Sequence, residues 1–270
     1  MTLEDLLIKT VEHEASDLHI TVGTAPRIRK SGSLLELGTE KLSADKVKEL
    51  IQSKMSTKQI ENFNSGNEID YSVGLPGISR FRVNVYSQRG NICAAYRRLP
   101  LEPPAIDSLG LPDSVINLLE QKKGLILITG STGSGKSTTM AALVNQLTKE
   151  LPGHILTIED PIEYLYPHSK AQVNQREVGV DTKSFESGLK SALRQDPDVV
   201  VVGELRDPES MAAAMSVAET GHLVFGTMHT NTAAGAITRL VDAFPPEKQD
   251  VIRMNLSMSL LAVIAQQLIP

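Results

Sequence analysis

The 270-residue chain carries 27 Lys and Arg against 32 Asp and Glu, a formal net charge of −5. This balance gives no whole-chain argument for nucleic-acid binding, and no apolar run approaches the roughly 18 residues of a membrane-spanning helix. The single cysteine, Cys93, excludes an intrachain disulfide and a cysteine-based zinc cluster. The acidic N-terminus lacks a signal-peptide pattern, so a cytoplasmic protein is the simplest interpretation.

The first part of the chain, residues 1–98, predicts a small α+β domain, because helix and strand patterns are mixed within it. Ser43 is a plausible N-cap for the second helix, and Gly90-Asn91 is the predicted turn of a terminal hairpin. The predicted elements are a helix starting at Leu3, a strand at 18–22, a helix at 43–63, and strands at 68–73, 80–86 and 92–98.

A cluster of prolines, Pro100, Pro103, Pro104 and Pro112, predicts a linker at about 99–112, since proline disfavours both helix and sheet. Beyond it, residues 113–270 alternate strand and helix patterns, which is typical of an α/β fold with a parallel sheet covered on both faces. The predicted strands of this core are 125–129, 154–159, 198–203 and 222–228.

The first core strand leads into a glycine-rich loop and then into apolar residues at helical spacing, the context that a phosphate-binding loop requires. Its glycines let backbone N–H groups turn towards an anion, and the helix N-terminus adds about half a positive charge. Lys136 is expected to reach the β- and γ-phosphates of ATP, and Ser137 to hold Mg²⁺. The predicted nucleotide-binding residues are Gly130, Ser131, Thr132, Gly133, Ser134, Gly135, Lys136, Ser137 and Thr138.

Carboxylates follow the next two core strands. Glu159, Asp160 and Glu163 come after the second strand, and they are expected to hold Mg²⁺ or to orient water; the alternative is a solvated acidic turn. Glu159 and Asp160 are predicted metal residues together with Ser137. Glu204 ends the third strand and is the candidate general base, the alternative being a strand-end glutamate paired with an arginine.

Histidines and arginines complete the candidate set. His222 and His229 bound the fourth strand, so one could sense the γ-phosphate and the other a subunit boundary, or both could be structural. An arginine near a γ-phosphate stabilises the transition state. From the residues alone, the basic hairpin is either a nucleic-acid face or a solvated face. The candidate arginines are Arg194 and Arg206, which flank the strand before Glu204, and Arg82 and Arg97 on the hairpin.

Six segments together resemble the secretion and type IV pilus motor ATPases, and within that family the PilT-like retraction ATPases. They are ASDLH at 15–19, SRFRVN at 79–84, the phosphate loop, IEDPIE at 158–163, LRQDPD at 193–198 with GELRD at 203–207, and AETGH at 218–222 with TMHT at 227–230. The resemblance implies a PAS-like N-terminal domain joined to a RecA-like P-loop core.

The resemblance further implies a homohexamer in which Arg82 and Arg97 of one subunit meet ATP bound to a neighbour. Glu204 takes the family's catalytic-base position, and Glu163, His222 and His229 take positions around the γ-phosphate. On this resemblance, the expected ligand of the basic hairpin is ATP rather than nucleic acid, and no nucleic-acid partner is expected.

The implied function is ATP hydrolysis for pilus retraction, that is, pilin disassembly and twitching motility. The protein would act at the cytoplasmic face of the inner membrane, on a platform protein and through it on pilin. A pilus assembly or type II secretion ATPase, or a nucleotide-gated adaptor with little turnover, is the alternative. The four-cysteine zinc module of assembly-type relatives is excluded by the single cysteine. The family's helical C-terminal region is expected to be largely absent after 266–270.

Overall fold

The computed structural model describes residues 1–269, and the chain divides into two compact units, Met1–Leu101 and Glu102–Pro270. The predicted linker segment, 99–112, contains this boundary. It also contains a short 3₁₀ helix, Ile106–Leu109, and the Ile106 side chain is buried in a core cluster of the second unit. No helix in residues 1–269 is both long and apolar enough to cross a membrane.

The first unit is an antiparallel six-stranded sheet in the order β3-β2-β1-β6-β5-β4. One face of the sheet forms a core with apolar residues of the first two helices. The helices are α1 (Leu3–Glu12), α2 (Ala44–Gln52) and α3 (Thr57–Asn64), and the strands are β1 (Asp17–Ile20), β2 (Arg27–Lys30), β3 (Ser33–Glu36), β4 (Ile69–Leu75), β5 (Ser79–Gln88) and β6 (Asn91–Leu99).

The predicted hairpin is confirmed, with its turn one residue earlier than expected. Gln88 pairs with Asn91, so the turn residues are Arg89 and Gly90. Their φ angles are 51° and 75°, and two positive φ values in succession are the requirement of a type I′ hairpin turn.

The prediction of one helix over 43–63 is wrong, because two helices occupy this segment. Ser43 does cap α2, where its side chain accepts a hydrogen bond from the Lys46 N–H. The hydroxyl of Ser56 then accepts from the Gln59 N–H, while the Gln59 side chain accepts from the Ser56 N–H. This reciprocal capping box starts a second helix within the apolar pattern.

The second unit has a parallel six-stranded sheet in the order β12-β7-β11-β10-β8-β9. The four predicted core strands are confirmed, to within a residue at their ends. Its strands are β7 (Gly124–Thr129), β8 (His154–Glu159), β9 (Gln172–Glu177), β10 (Val199–Val202), β11 (Leu223–Met228) and β12 (Leu260–Ala265), and its helices are α4 (Asp113–Ile116), α5 (Lys136–Glu150), α6 (Phe185–Ala192), α7 (Pro208–Glu219), α8 (Ala233–Asp242) and α9 (Pro246–Ser259), with a 3₁₀ helix at Asn117–Glu120.

Both faces of this sheet are buried, as the continuous apolar runs predict. Along β7, Leu125 and Leu127 belong to one core cluster, and Ile126 and Ile128 belong to the cluster on the opposite face. The strands β9 and β12 are not among the predicted ones. The polar sequence of β9 lacks the apolar run that marks the central strands, because β9 lies at the sheet edge.

We expect Leu127→Ala to lower the free energy of unfolding of the second unit by about 2–5 kcal/mol, since it removes a fully buried side chain from a packed core. Urea denaturation followed by circular dichroism measures the change. Val251→Ala on α9 is the matched control, because Val251 is 58% exposed, and its effect should stay within about 0.5 kcal/mol. Equal shifts in both variants would contradict the described core.

Candidate nucleotide site

The phosphate loop joins the end of β7 to the start of α5, as predicted. Gly130, Gly133 and Gly135 have φ angles of 156°, 80° and 89°, which favour glycine. A Cβ on Gly130 would lie 2.4 Å from the main-chain oxygen of Gln266. Gly135 caps α5 without a side chain, so the first N–H groups of that helix are left for a bound anion.

Lys136 lies inside this loop with only 8% of its surface exposed. Its Nζ donates hydrogen bonds to the carbonyl oxygens of Gly130 and Ser131, both at 2.9 Å. Burial lowers the pKa of Lys136, and the negative charges of Glu204 and Glu163 oppose that drop. The ammonium therefore occupies the loop and has acidic groups nearby.

The hydroxyl of Ser134 is buried and has no hydrogen-bond partner among the described residues. Unsatisfied buried polar groups are costly and occur where a ligand or water completes them. Ser137, one position into α5, is exposed. A glycine-lined loop, a movable ammonium and two hydroxyls are the donor set that fits a nucleotide phosphate with its Mg²⁺.

The parallel strands bring the predicted groups to the same edge of the sheet as the loop. Thr129, Glu159 and Met228 are the last residues of β7, β8 and β11, and Glu204 lies two residues after the end of β10. Because the carboxyl ends of parallel strands meet at one edge, the acidic residues and His229 lie at the same edge as the phosphate loop.

Glu204 is held between the side chains of Arg206 and His229. Its Oε2 lies 2.7 Å from Nη2 of Arg206, and its Oε1 lies 3.3 Å from Nε2 of His229. Burial alone would raise the pKa of Glu204, but the hydrogen bonds and charges of Arg206 and His229 outweigh it and leave the pKa below its ordinary value. Glu204 is therefore ionised, which a general base requires.

The three carboxylates after β8 differ in their surroundings. Oε1 of Glu159 accepts hydrogen bonds from Thr157 (2.6 Å) and Gln175 (3.1 Å). Burial nevertheless raises the pKa of Glu159. Asp160 is exposed and its charge acts on Arg206. Glu163 is partly buried, and its charge acts on Lys136.

The structure separates the two histidines. His229 follows β11 at the loop edge, whereas His222 precedes the strand at the opposite edge, where its carbonyl accepts from the Gly124 N–H. A six-residue strand spans about 20 Å. His222 therefore lies a strand length away from the phosphate loop of its own chain, and its predicted place around a γ-phosphate stays a prediction. Its ring nitrogen Nδ1 contacts Val217 and Thr220 instead.

Arg194 also lies away from the loop. It is an exposed residue of the connection from α6 to β10, and this connection enters the sheet at the amino edge. Arg194 and Arg206 therefore lie at opposite edges of the sheet, because residues before a parallel strand lie at the opposite edge from residues after it. The catalytic role of Arg194 stays a prediction.

Arg82 and Arg97 lie in the first unit and are directly opposite each other on β5 and β6. Both are exposed, on the face that points away from the apolar core. Arg82 contacts Asp70 (Nε to Oδ1, 3.7 Å), and Arg97 contacts Asp17 (Nε to Oδ1, 2.9 Å). The hairpin therefore presents both arginines on one exposed face.

One residue that organises the acidic segment was missed in the sequence. Gln175 of β9 donates to Oε1 of Glu159 and to the carbonyl of Tyr164 (2.8 Å), and it accepts from the N–H of Tyr166 (2.9 Å). A lone glutamine on a polar edge strand carries no signal in the sequence for this role.

The fold and the site define a P-loop nucleotide-binding protein of the α/β class. The chain belongs to the type II/IV secretion system protein family, whose model matches residues 2–270.

Two named relatives and one solved structure are similar to this protein along its whole chain. The type IV pilus retraction ATPase PilT of Pseudomonas aeruginosa is 44% identical over 269 residues, which cover 100% of this chain and 78% of that protein. The type IV pilus ATPase PilU of the same species is 40% identical, covering 100% and 71%. A crystal structure of the pilus retraction motor PilT with bound ADP is 47% identical, with a TM-score of 0.96 and coverage of 100% and 79%.

We expect Lys136→Ala to weaken ATP binding by about 10- to 100-fold, since a hydrogen bond from a charged group contributes roughly 1.5–3 kcal/mol. Isothermal titration calorimetry measures the affinity. Lys149→Ala, which removes an exposed lysine from the last turn of the same helix, should leave it unchanged. Equal affinities in the two variants would refute the loop as the phosphate site.

We expect Arg206→Gln to raise the pKa of Glu204, because the burial of the carboxylate remains while its strongest cationic partner is lost. Carbon-detected NMR titration of the Glu204 carboxyl group measures the midpoint, which should move to higher pH. Arg194→Gln is the control and should not move it. A midpoint unaffected by Arg206→Gln would show that the ion pair does not set the charge of Glu204.

Proposed function

We propose that this chain is the subunit of a homohexameric motor ATPase that hydrolyses ATP to power type IV pilus retraction. The observation that supports this proposal most directly is the position of Glu204, which lies at the sheet edge that holds the phosphate loop. Glu204 is ionised, and its charge acts on Lys136. The proximity of Glu204 to Lys136 supports an ATPase. Relatives named as pilus ATPases match the whole chain.

The proposed chemistry assigns separate tasks to the residues at the loop edge. On nucleotide binding, Lys136 exchanges its two carbonyl partners for phosphate oxygens, and the N–H groups at the start of α5 bind the same anion. Glu204 takes a proton from the attacking water, and Arg206 and His229 keep it ionised and oriented. The water oxygen bonds to the γ-phosphorus as the bond to the β–γ bridging oxygen breaks, so the products are ADP and inorganic phosphate.

Mg²⁺ would neutralise charge that develops on the phosphates. Ser137 is the protein ligand that fits, since its hydroxyl is exposed at the helix N-terminus. Among the described residues, no group of three or more His, Cys, Asp or Glu side chains could hold a metal ion. Glu159 is a poor direct ligand because its Oε1 is engaged and its pKa is raised. We therefore propose that Asp160 and Glu163 would contact the ion through its bound water molecules.

The ring is proposed from the arginines of the first unit. Arg82 and Arg97 form a cationic pair on one exposed face, and a neighbouring subunit's ATP would be their ligand. The Arg82–Asp70 contact is long and exposed, and such pairs contribute only about 0–1 kcal/mol. Arg82 can therefore exchange Asp70 for a phosphate at small cost.

Retraction, rather than pilus assembly, type II secretion or nucleotide-gated adaptor action, is supported by the similarity to PilT over the full chain. The proposed partners are an inner-membrane platform protein and, through it, pilin, with the ATPase at the cytoplasmic face. Deleting the gene tests the direction of the motor. Cells with excess pili that do not retract would support retraction, whereas loss of pili would indicate assembly.

We expect Glu204→Gln to bind ATP and to hydrolyse it about 100-fold more slowly or worse, because the amide keeps the shape but cannot accept a proton. Steady-state phosphate release measures turnover, and calorimetry measures binding. Glu159→Gln is the comparison at a carboxylate that is already hydrogen-bonded. Turnover that survives Glu204→Gln and fails in Glu159→Gln would reassign the base.

We expect a mixture of inactive Arg82→Ala and inactive Glu204→Gln subunits to regain part of the activity, because some interfaces then pair an intact Arg82 with an intact Glu204. The proteins are mixed before assembly, and phosphate release is measured across protein concentrations. A mixture of Arg82→Ala with Arg97→Ala is the control, since every subunit then lacks one of the two arginines. A flat concentration profile together with no rescue would contradict the shared site.

A further inference from the structure

Thr129 is a fully buried polar residue at the last position of β7, directly before Gly130 of the phosphate loop. Thr129 is not part of the phosphate-loop motif, which begins at Gly130. Its backbone pairs with both neighbouring strands, through Met228 of β11 and Ala265 of β12. The side-chain hydroxyl is directed at a residue 101 positions away, Thr230.

All three hydrogen-bonding positions of this hydroxyl are used by Thr230. Oγ1 of Thr129 donates to the main-chain oxygen of Thr230 at 2.5 Å, and it accepts from the Thr230 N–H at 3.0 Å. It lies 2.6 Å from the Thr230 hydroxyl. Since a hydroxyl has one proton to donate, the Thr230 hydroxyl is the donor in this third bond.

Thr230 is covalently joined to His229, whose Nε2 lies 3.3 Å from Oε1 of Glu204. On the other side of β11, the Thr227 hydroxyl donates to the Gly203 carbonyl at 2.5 Å, and the Leu205 N–H donates to the Thr227 carbonyl at 2.9 Å. The end of β11 is therefore tied both to the phosphate-loop strand and to the residues on either side of Glu204.

We propose that Thr129 is a positioning residue for catalysis, which fixes His229 and Glu204 at their distance from the phosphate loop through the backbone of Thr230. The inference rests on the proposed ATPase function. It assigns the loop glycines, Lys136 and the start of α5 to nucleotide binding and assigns Thr129 to the placement of the base. Its loss should therefore change turnover and leave affinity in place.

The test uses Thr129→Val, which keeps the β-branched shape and replaces the hydroxyl group with a methyl group. We expect kcat to fall by about 10- to 100-fold, the range that a misplacement of about 1 Å produces, while KM and the calorimetric ATP affinity change by less than about threefold. Thr129→Ser keeps the hydroxyl and should restore most of kcat. Thr230→Ala removes only one of the three bonds and should cost clearly less than Thr129→Val.

Wild-type phosphate release is measured first, so that failure of the ATPase proposal is separated from failure of this inference. With wild-type turnover present, an unchanged kcat in Thr129→Val overturns the inference. A parallel loss of ATP affinity also overturns it, because Thr129 would then shape the phosphate loop. Should Thr129→Val fail to fold by circular dichroism, Thr129→Ala, which removes the same oxygen, is judged by the same split between kcat and KM.

Discussion

The common direction of the strands in the second unit is the constraint on which the candidate site depends. β7, β8, β10 and β11 lie side by side and parallel, so the residues that follow them meet at one edge. The phosphate loop, the acidic segment, Glu204 and His229 are distant in sequence and gather there for this reason alone. The buried apolar faces on both sides of the sheet keep the edge in place.

Charge balance at this edge follows from desolvation. Lys136 and Glu204 are both partly removed from water, which disfavours their charged forms, and neighbours of opposite charge favour the charged form of each. Glu159 instead accepts hydrogen bonds from the neutral side chains of Thr157 and Gln175, and burial raises its pKa. The pKa values of these two glutamates are therefore shifted in opposite directions, because one contacts Arg206 and the other contacts neutral donors.

The first unit presents the opposite design, with charges on a solvent-exposed sheet face. Asp17 is buried beneath Arg97, and its pKa is lowered, because hydrogen bonds from Ser16 and Arg97 outweigh the cost of burial. Arg97 itself is 73% exposed in its side chain. Asp17 therefore orients Arg97 while leaving its guanidinium group accessible to an external anion.

The sequence by itself determined the α/β class, four of the core strands and the phosphate loop, because each depends on residues close together along the chain. Only the tertiary structure decided which groups surround Glu204 and how Gln175 and Thr129 organise the edge. These contacts join residues far apart in sequence through hydrogen bonds, which form or fail with differences of a few tenths of an ångström in the donor–acceptor distance. No local pattern of residues encodes distances to that precision.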